Sequence, residues 1–466
     1  MGVRQLVVTS LAGECVFGPE DVGEGPLTLD AALISRIHTG VRRPFKLVHG
    51  HRTVHADDVL EVGEADDVLQ LNIVFISSFS VLTWGDPDFG GNCNAVADRL
   101  ARGVASLVGN GYAFAALKDS GEVATWGSPG YGGDSRPIAD QLGGGVVSVA
   151  ATRYAFAALT AAGSVVTWGC GVAGADSETV ADRLAGGIVA VVGNKYAFAA
   201  VKQGGEVVTW GSSDCGGDPD TAADQLRSGV KSVSCSWNAF AALKVGGAVV
   251  TWGRTGYGGD SRAADEHLAG GVKSISGGKY AFAAVKNSGR VVTWGRSDRG
   301  GDSRAAAADL EAGVVSVVGN EGAFAAVKEE GRVVTWGAPD IGGTPGVAAA
   351  LLGAGVVSVA CTCRAFAALK DGGAVVAWGA AEFGGDCRAV ADRLAQDVKA
   401  VAANGHAFAA LKAAGELVTW GDAEYGGNAD AIVDELATRS IHSITGSRFA
   451  FAALTSRPDA CCRADT

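Results

Sequence analysis

The sequence predicts a mainly β protein: nine 42-residue units of three strands and one short helix, arrayed one after another behind a small α+β domain. Three observations carry this. A Trp-Gly pair returns every 42 residues, at Trp84, Trp126, Trp168, Trp210, Trp252, Trp294, Trp336, Trp378 and Trp420, so one unit has been copied nine times. A phenylalanine keeps the same pace, at Phe114, Phe156, Phe198, Phe240, Phe282, Phe324, Phe366, Phe408 and Phe451. The 70 glycines fall at fixed offsets between apolar runs, which is the pattern of turns rather than of disorder.

Residues 1–76 stand outside the repeat. Gln5 to Phe17 predicts two short strands around a turn at Ala12-Gly13. Leu29, Ala32, Leu33 and Ile37 follow at helical spacing until Thr39-Gly40, and further strands are expected at Phe45–Val48 and Val68–Phe75. This order, with the Leu11-Ala12-Gly13 turn and the closing Val-Leu-Gln-Leu-Asn-Ile-Val, resembles the ubiquitin-like family and implies a β-grasp domain. Leu11 matches the family's hairpin-loop leucine, whereas Asn72 stands where its last strand offers an aliphatic residue. The chain runs on past Phe75 without a Gly-Gly, so a conjugated modifier is not expected.

The unit from Trp126 to Trp168 is representative of the repeat. Gly127 ends a strand, Tyr131-Gly132-Gly133 makes a loop, and Asp134-Ser135 offers caps for a helix on which Ile138 and Leu142 share a face. Strands are expected at Val146–Ala150, Tyr154–Leu159 and Ser164–Trp168. In the middle strand Phe156 and Ala158 point one way and Ala155, Ala157 and Leu159 the other, so both faces are apolar and need cover. The only partner present in nine copies is the next unit, and the sheets must stack face to face. The recurring Trp and Phe are therefore expected in the core.

The run Ser-Val-x-x-x-x-Tyr-Ala-Phe-Ala-Ala-Leu-Lys-x-x-Gly-x-Val-Val-Thr-Trp-Gly, followed by a Gly-Gly loop, resembles the repeat of the regulator of chromosome condensation family. Its three-stranded units are similar to those of the related secreted β-lactamase inhibitor proteins. The resemblance covers residues 78–455 and implies a β-propeller, with 456–466 left as a tail. The array opens and closes in mid-unit, at Val81-Leu82-Thr83-Trp84 and Phe449 to Leu454, so that the first segment can supply the strand the last unit lacks. A closed ring is favoured on this ground over an open superhelix, although nine blades exceed the usual four to eight and the last unit carries an extra residue near Arg439-Ser440.

Composition narrows the function. A formal charge of −12 argues against a partner bound through its phosphate backbone, and no nucleic acid is expected. No signal peptide or membrane-spanning run is seen, and Leu6 breaks the myristoylation pattern, so the expectation is an intracellular, cytoplasmic protein with the nucleus left open. Ten cysteines without a CxxC read as reduced thiols, Cys361-x-Cys363 lacks a second ligand pair, and His49, His51 and His55 lack a completing ligand; no metal and no cofactor is expected. Asp134, Asp176, Asp218, Asp260, Asp302 and Asp386 read as helix caps in preference to calcium ligands.

An array of identical residues offers no catalytic constellation, so no enzyme is expected and function is sought where the repeat varies. One turn position before the second strand reads Gly111, Arg153, Lys195, Trp237, Lys279, Glu321, Cys363, Gly405 and Arg448. Trp237 is the one tryptophan off the repeat, and Arg153, Lys195, Trp237, Lys279 and Arg448 form the candidate partner-binding set on one loop face. The reading is a protein-interaction scaffold. The alternatives are a ubiquitin-pathway factor and, less favoured, a small-GTPase exchange factor. Exchange activity in the resembling family depends on a wedge for which units never departing from 42 by more than one residue leave no room.

Overall fold

A computed structural model describes residues 79–436 and 438–456 and, before them, the backbone of seven strands between residues 4 and 75. The chain divides into two compact units, Met1–Ser78 and Phe79–Thr466.

In the first unit β1 (Arg4–Ser10) and β2 (Cys15–Val22) form the expected antiparallel hairpin. β3 (Leu27–Thr28), β4 (Phe45–His49), β5 (Arg52–Val54), β6 (Val59–Leu60) and β7 (Val68–Phe75) complete it. The sheet order is β2-β1-β7-β4-β5, with β1 and β7 parallel at the centre and the other pairs antiparallel. β3 pairs with β6. Runs of two or three residues, as in β3, β5 and β6, are too short to show periodicity, and the sequence reading missed all three. The helix expected over residues 29–37, the turn at Leu11-Ala12-Gly13, His51 and His55 lie outside the described residues.

The second unit contains nine three-stranded antiparallel blades. In one of them Val146–Ala151, Ala155–Thr160 and Val165–Gly169 pair in order, with Phe156 opposite Trp168. The middle strand begins at Ala155, not at Tyr154. Thr152 Oγ1 accepts the N–H groups of Tyr154 and Ala155 and so keeps Tyr154 in the turn.

The blades stack face to face. Ala113, Ala115 and Leu117 of one blade pack on Phe156, Ala158 and Trp168 of the next, and Leu142 seals the edge. Alanine on one face leaves the depth that the aromatic pair on the other fills. Within each blade the Phe and Trp rings stack with centroids 5.0–5.3 Å apart. All nine phenylalanines are fully buried.

Each tryptophan also ties its blade to the loop that leads into it. Trp168 Nε1 donates to the Gly132 carbonyl at 3.1 Å, and the other eight make the same bond at 2.9–3.2 Å. The glycine is required there. Its φ is +96° at Gly132, and a Cβ would stand 2.6 Å from the Phe156 ring.

The connecting helix is a 3₁₀ turn, Arg136–Ile138, running into one α-turn, Ala139–Leu142. Leu142 is buried as expected. Ser135 makes no capping bond; its hydroxyl meets Thr125 Oγ1 at 2.9 Å. Asp134 caps instead, its carboxylate accepting the Arg136 N–H at 3.0 Å, and Asp176, Asp218, Asp260, Asp302 and Asp386 repeat the bond.

The chain's two ends share a blade. Ser80–Gly85 pairs with Ala450–Ser456, which pairs with Ser440–Gly446, and Phe451 lies opposite Trp84 in the same register as elsewhere. The extra residue of the last unit is taken up in this seven-residue first strand. Ala450, Ala452 and Leu454 then pack on Phe114 and Trp126 of the following blade. Every blade is thus covered on both faces.

Gly132→Ala is expected to destabilise by about 2 kcal/mol, from the left-handed backbone and the displaced ring. Gly144→Ala, whose Cβ would approach nothing closer than 3.7 Å, should be near neutral. Urea unfolding of the two variants checks the contrast.

Candidate functional site

The first strands of neighbouring blades converge at their C-terminal ends, where Gly109, Ala151, Gly193, Cys235, Gly277, Gly319, Cys361, Ala403 and Gly446 form a throat. Only small residues fit. A Cβ on Gly193 or Gly277 would run into the carbonyl oxygen of Ala151 or Cys235. The two cysteines each face a glycine, the Cys235 thiol meeting the Gly193 carbonyl at 3.3 Å and the Cys361 thiol the Gly319 carbonyl at 3.5 Å. Burial pushes the Cys235 thiol up to about 11 and that of Cys361 to about 12, so both stay protonated.

One residue further on lies a buried polar circle of Asn110, Thr152, Asn194, Ser236, Asn320, Thr362, Asn404 and Ser447. Asn110 is representative: its carbonyl oxygen accepts the N–H groups of Tyr112 and Ala113, and its amide donates to the Tyr131 carbonyl at 2.7 Å. Seven of the turns are locked in this way to the loop of the next blade. The sequence reading missed these residues, although an Asn, Ser or Thr three positions before nearly every second strand was a legible signal.

The variable position comes next, and its backbone forms a circuit. Gly111 donates to the Arg153 carbonyl, Arg153 to Lys195, Lys195 to Trp237 and Trp237 to Lys279, at 2.8–3.3 Å. Lys279 donates to Asn320, Glu321 to Cys363, Cys363 to Gly405, Gly405 to Arg448 and Arg448 to Asn110, which returns to the first blade. Two or three residues from each blade line a central pocket of about 430 Å³.

All five residues of the candidate set meet in this pocket. Around the Trp237 ring centroid stand Lys279 Nζ at 3.9 Å, Lys195 Nζ at 5.1 Å, Arg153 Cζ at 5.5 Å and Arg448 Cζ at 5.6 Å. Lys195 and Lys279 flank Trp237 in the array, as the sequence implied. Arg153 and Arg448 reach it from more distant blades, which the sequence did not foretell. Trp237 is not an anchor flanked on a loop edge but an indole held among four cations at the mouth of the throat.

Electrostatics there are unbalanced. Each cation–π contact contributes about 0.5–2 kcal/mol, while the four cations repel one another. Glu321 is the single acid lining the pocket, and it pairs with Lys279 at 3.3 Å and with Arg364 at 3.8 Å. Nη2 of Arg153 donates to the Tyr112 hydroxyl at 3.1 Å, but the buried Nε atoms of Arg153 and Arg448 have no partner. Such an orphaned donor costs about 1–3 kcal/mol.

An aromatic collar surrounds the pocket one residue beyond the circuit. Tyr154 stacks on Tyr112 at 5.5 Å and on Tyr196 at 5.2 Å, and Phe449 stacks on His406 at 5.3 Å and lies 5.6 Å from Tyr112. Phe89, Tyr131 and Tyr425 add edges from the loops. The arc from His406 to Tyr196 is continuous, and its rings are half-buried.

Among the described residues no group of three or more His, Cys, Asp or Glu side chains is gathered as a metal site requires, and no helix is long and apolar enough to cross a membrane.

No protein-family model and no curated protein matches the chain. Among solved structures it is similar to Prp20p from Saccharomyces cerevisiae, described with its binding to Gsp1p and histones, at 13% identity over 83% of this chain and 93% of that one, TM-score 0.40. The ectodomain of the Physcomitrella patens receptor kinase CR4 is 18% identical over 59% of this chain and 73% of that one, TM-score 0.36. Human WBSCR16 is 14% identical over 67% and 87%, TM-score 0.37. Likeness at this level does not assign the chain to a family.

Burial, with help from the Arg448 charge, lowers the His406 imidazole to about 4. A group whose folded value is depressed stabilises the fold above its unfolded value and loses that contribution as pH falls toward the folded one. Stability should therefore decline between about pH 6.5 and pH 4, and His406→Phe should remove that part of the decline in urea unfolding measured across the range.

Proposed function

We propose that residues 79–456 form a closed nine-bladed β-propeller that serves as a non-enzymatic protein-interaction scaffold, its partner docking over the axial pocket. Closure is supported by the shared blade of Ser80–Gly85 with Ala450–Ser456 and by the backbone circuit that returns from Arg448 to Asn110. The observation that carries the docking face is the convergence of Arg153, Lys195, Trp237, Lys279 and Arg448 inside an aromatic collar. Tryptophan, tyrosine and arginine are the residues that most often dominate interface energies, and here they share one recess. Cations, one paired carboxylate and protonated thiols suit recognition rather than bond-making.

A second reading concerns residues 1–78. A mixed sheet with its first and last strands parallel at the centre and hairpins on either side supports a ubiquitin-like module that recruits another factor. Exchange of nucleotide on a small GTPase stays the least favoured reading, because no unit is long enough to project a wedge.

Trp237→Ala is expected to lower affinity for a docked protein by about 2 kcal/mol or more while leaving thermal unfolding within a few degrees of the parent. Quantitative affinity capture with the intact chain and this variant tests it. Partners recovered equally by both would remove the axial face from the proposal. Proteasomal or ligase components retained by both would favour the second reading.

A further inference from the structure

We infer that the axial pocket is a binding site for a small oxyanion, a phosphate-type or carboxylate group held between Arg153, Lys195 and Arg448. This goes beyond the scaffold reading and stands whether or not a protein docks on the same face.

Four features of the pocket support it. Among the described residues no carboxylate lies within ion-pair distance of Arg153, Lys195 or Arg448, although the chain as a whole carries twelve more acids than bases. Cations gathered against a net charge of that sign require a local reason. Secondly, the Nε atoms of both arginines are buried and unpartnered, and an Arg Nε–H is a donor of the kind that engages oxyanions.

Thirdly, the arginines are seated. The circuit places Gly405 before Arg448 and Gly111 before Arg153, and each arginine stem lies back over the preceding glycine. A Cβ on Gly111 would stand 2.6 Å from the Arg153 carbonyl oxygen and 2.7 Å from its Cγ, and one on Gly405 would stand 2.7 Å from the Arg448 carbonyl oxygen and 2.9 Å from its Cγ. Finally, the pocket of about 430 Å³ has ample room for a multivalent anion, and its one acid, Glu321, is already engaged by Lys279 and Arg364.

Calorimetric titration of the intact chain with sodium pyrophosphate, ionic strength held constant with sodium chloride, tests the site. One saturable event per chain is expected, with Kd roughly between 10 µM and 1 mM. Arg153→Gln/Arg448→Gln should weaken it at least about tenfold. Gly111→Ala/Gly405→Ala should do the same while keeping every charge, and Arg136→Gln, in an exposed loop pair, should leave it unchanged. Lys195→Gln, expected to give a smaller loss, keeps the test open should the arginine variants fail to fold. A parallel titration with an acetylated tetraglutamate peptide separates the sources: tighter binding of the peptide assigns the anion to a partner's carboxylates, tighter binding of pyrophosphate to a phosphate-bearing small molecule. Saturable binding of neither probe, or binding that survives both double variants, overturns the inference.

Discussion

The contact on which the rest of this molecule depends is the stack of one glycine, one phenylalanine and one tryptophan, made nine times. The glycine lies against the phenylalanine ring, the phenylalanine stacks on the tryptophan, and the indole N–H returns to that same glycine's carbonyl. Burying two large aromatics contributes several kcal/mol per blade at roughly 25 cal/mol per Å². The benefit exists only if an alanine face of the neighbouring blade covers them. No blade is a folding unit by itself, which is why a strand from near the start of the array completes its last blade.

Stacking at one repeated distance brings the first strands together at one end, and that end has its own rules. Only small residues stand there because backbone meets backbone. Behind them the Asn, Thr and Ser circle satisfies the buried turn groups that would otherwise be orphaned. With packing and backbone hydrogen bonding both met, the next residue of each unit is released from structural duty. At this position the chain varies strongly, and there an acidic protein collects four cations around one indole.

Much of this was legible. The 42-residue period, the apolar faces of the middle strand, the buried leucine and the complementary half-blades at the two ends follow from periodicity, because a side chain's face is set by its strand position. The errors were local. Tyr154 heads the apolar run that reads as the middle strand, but the Thr152 hydroxyl claims its N–H and turns it into the collar. Of the two cap candidates, Asp134 reaches the free N–H, whereas Ser135 turns to Thr125. In residues 1–78 the hairpin and the strands at residues 45 and 68 were visible, whereas three strands of two or three residues carry too few side chains to show an alternation.

By itself the sequence determined the blade: its three strands, its two apolar faces, its aromatic pair and its need for a neighbour on each side. These are properties of short stretches, dictated by side-chain alternation and turn chemistry. It also marked the variable position and singled out Trp237. Only the tertiary structure decided that Arg153 and Arg448, separated by seven units of sequence, stand over the same indole with their Nε atoms unpaired. Which variable turns meet depends on how the backbone bonds run from one blade's turn to the next, and no local pattern of residues encodes that meeting.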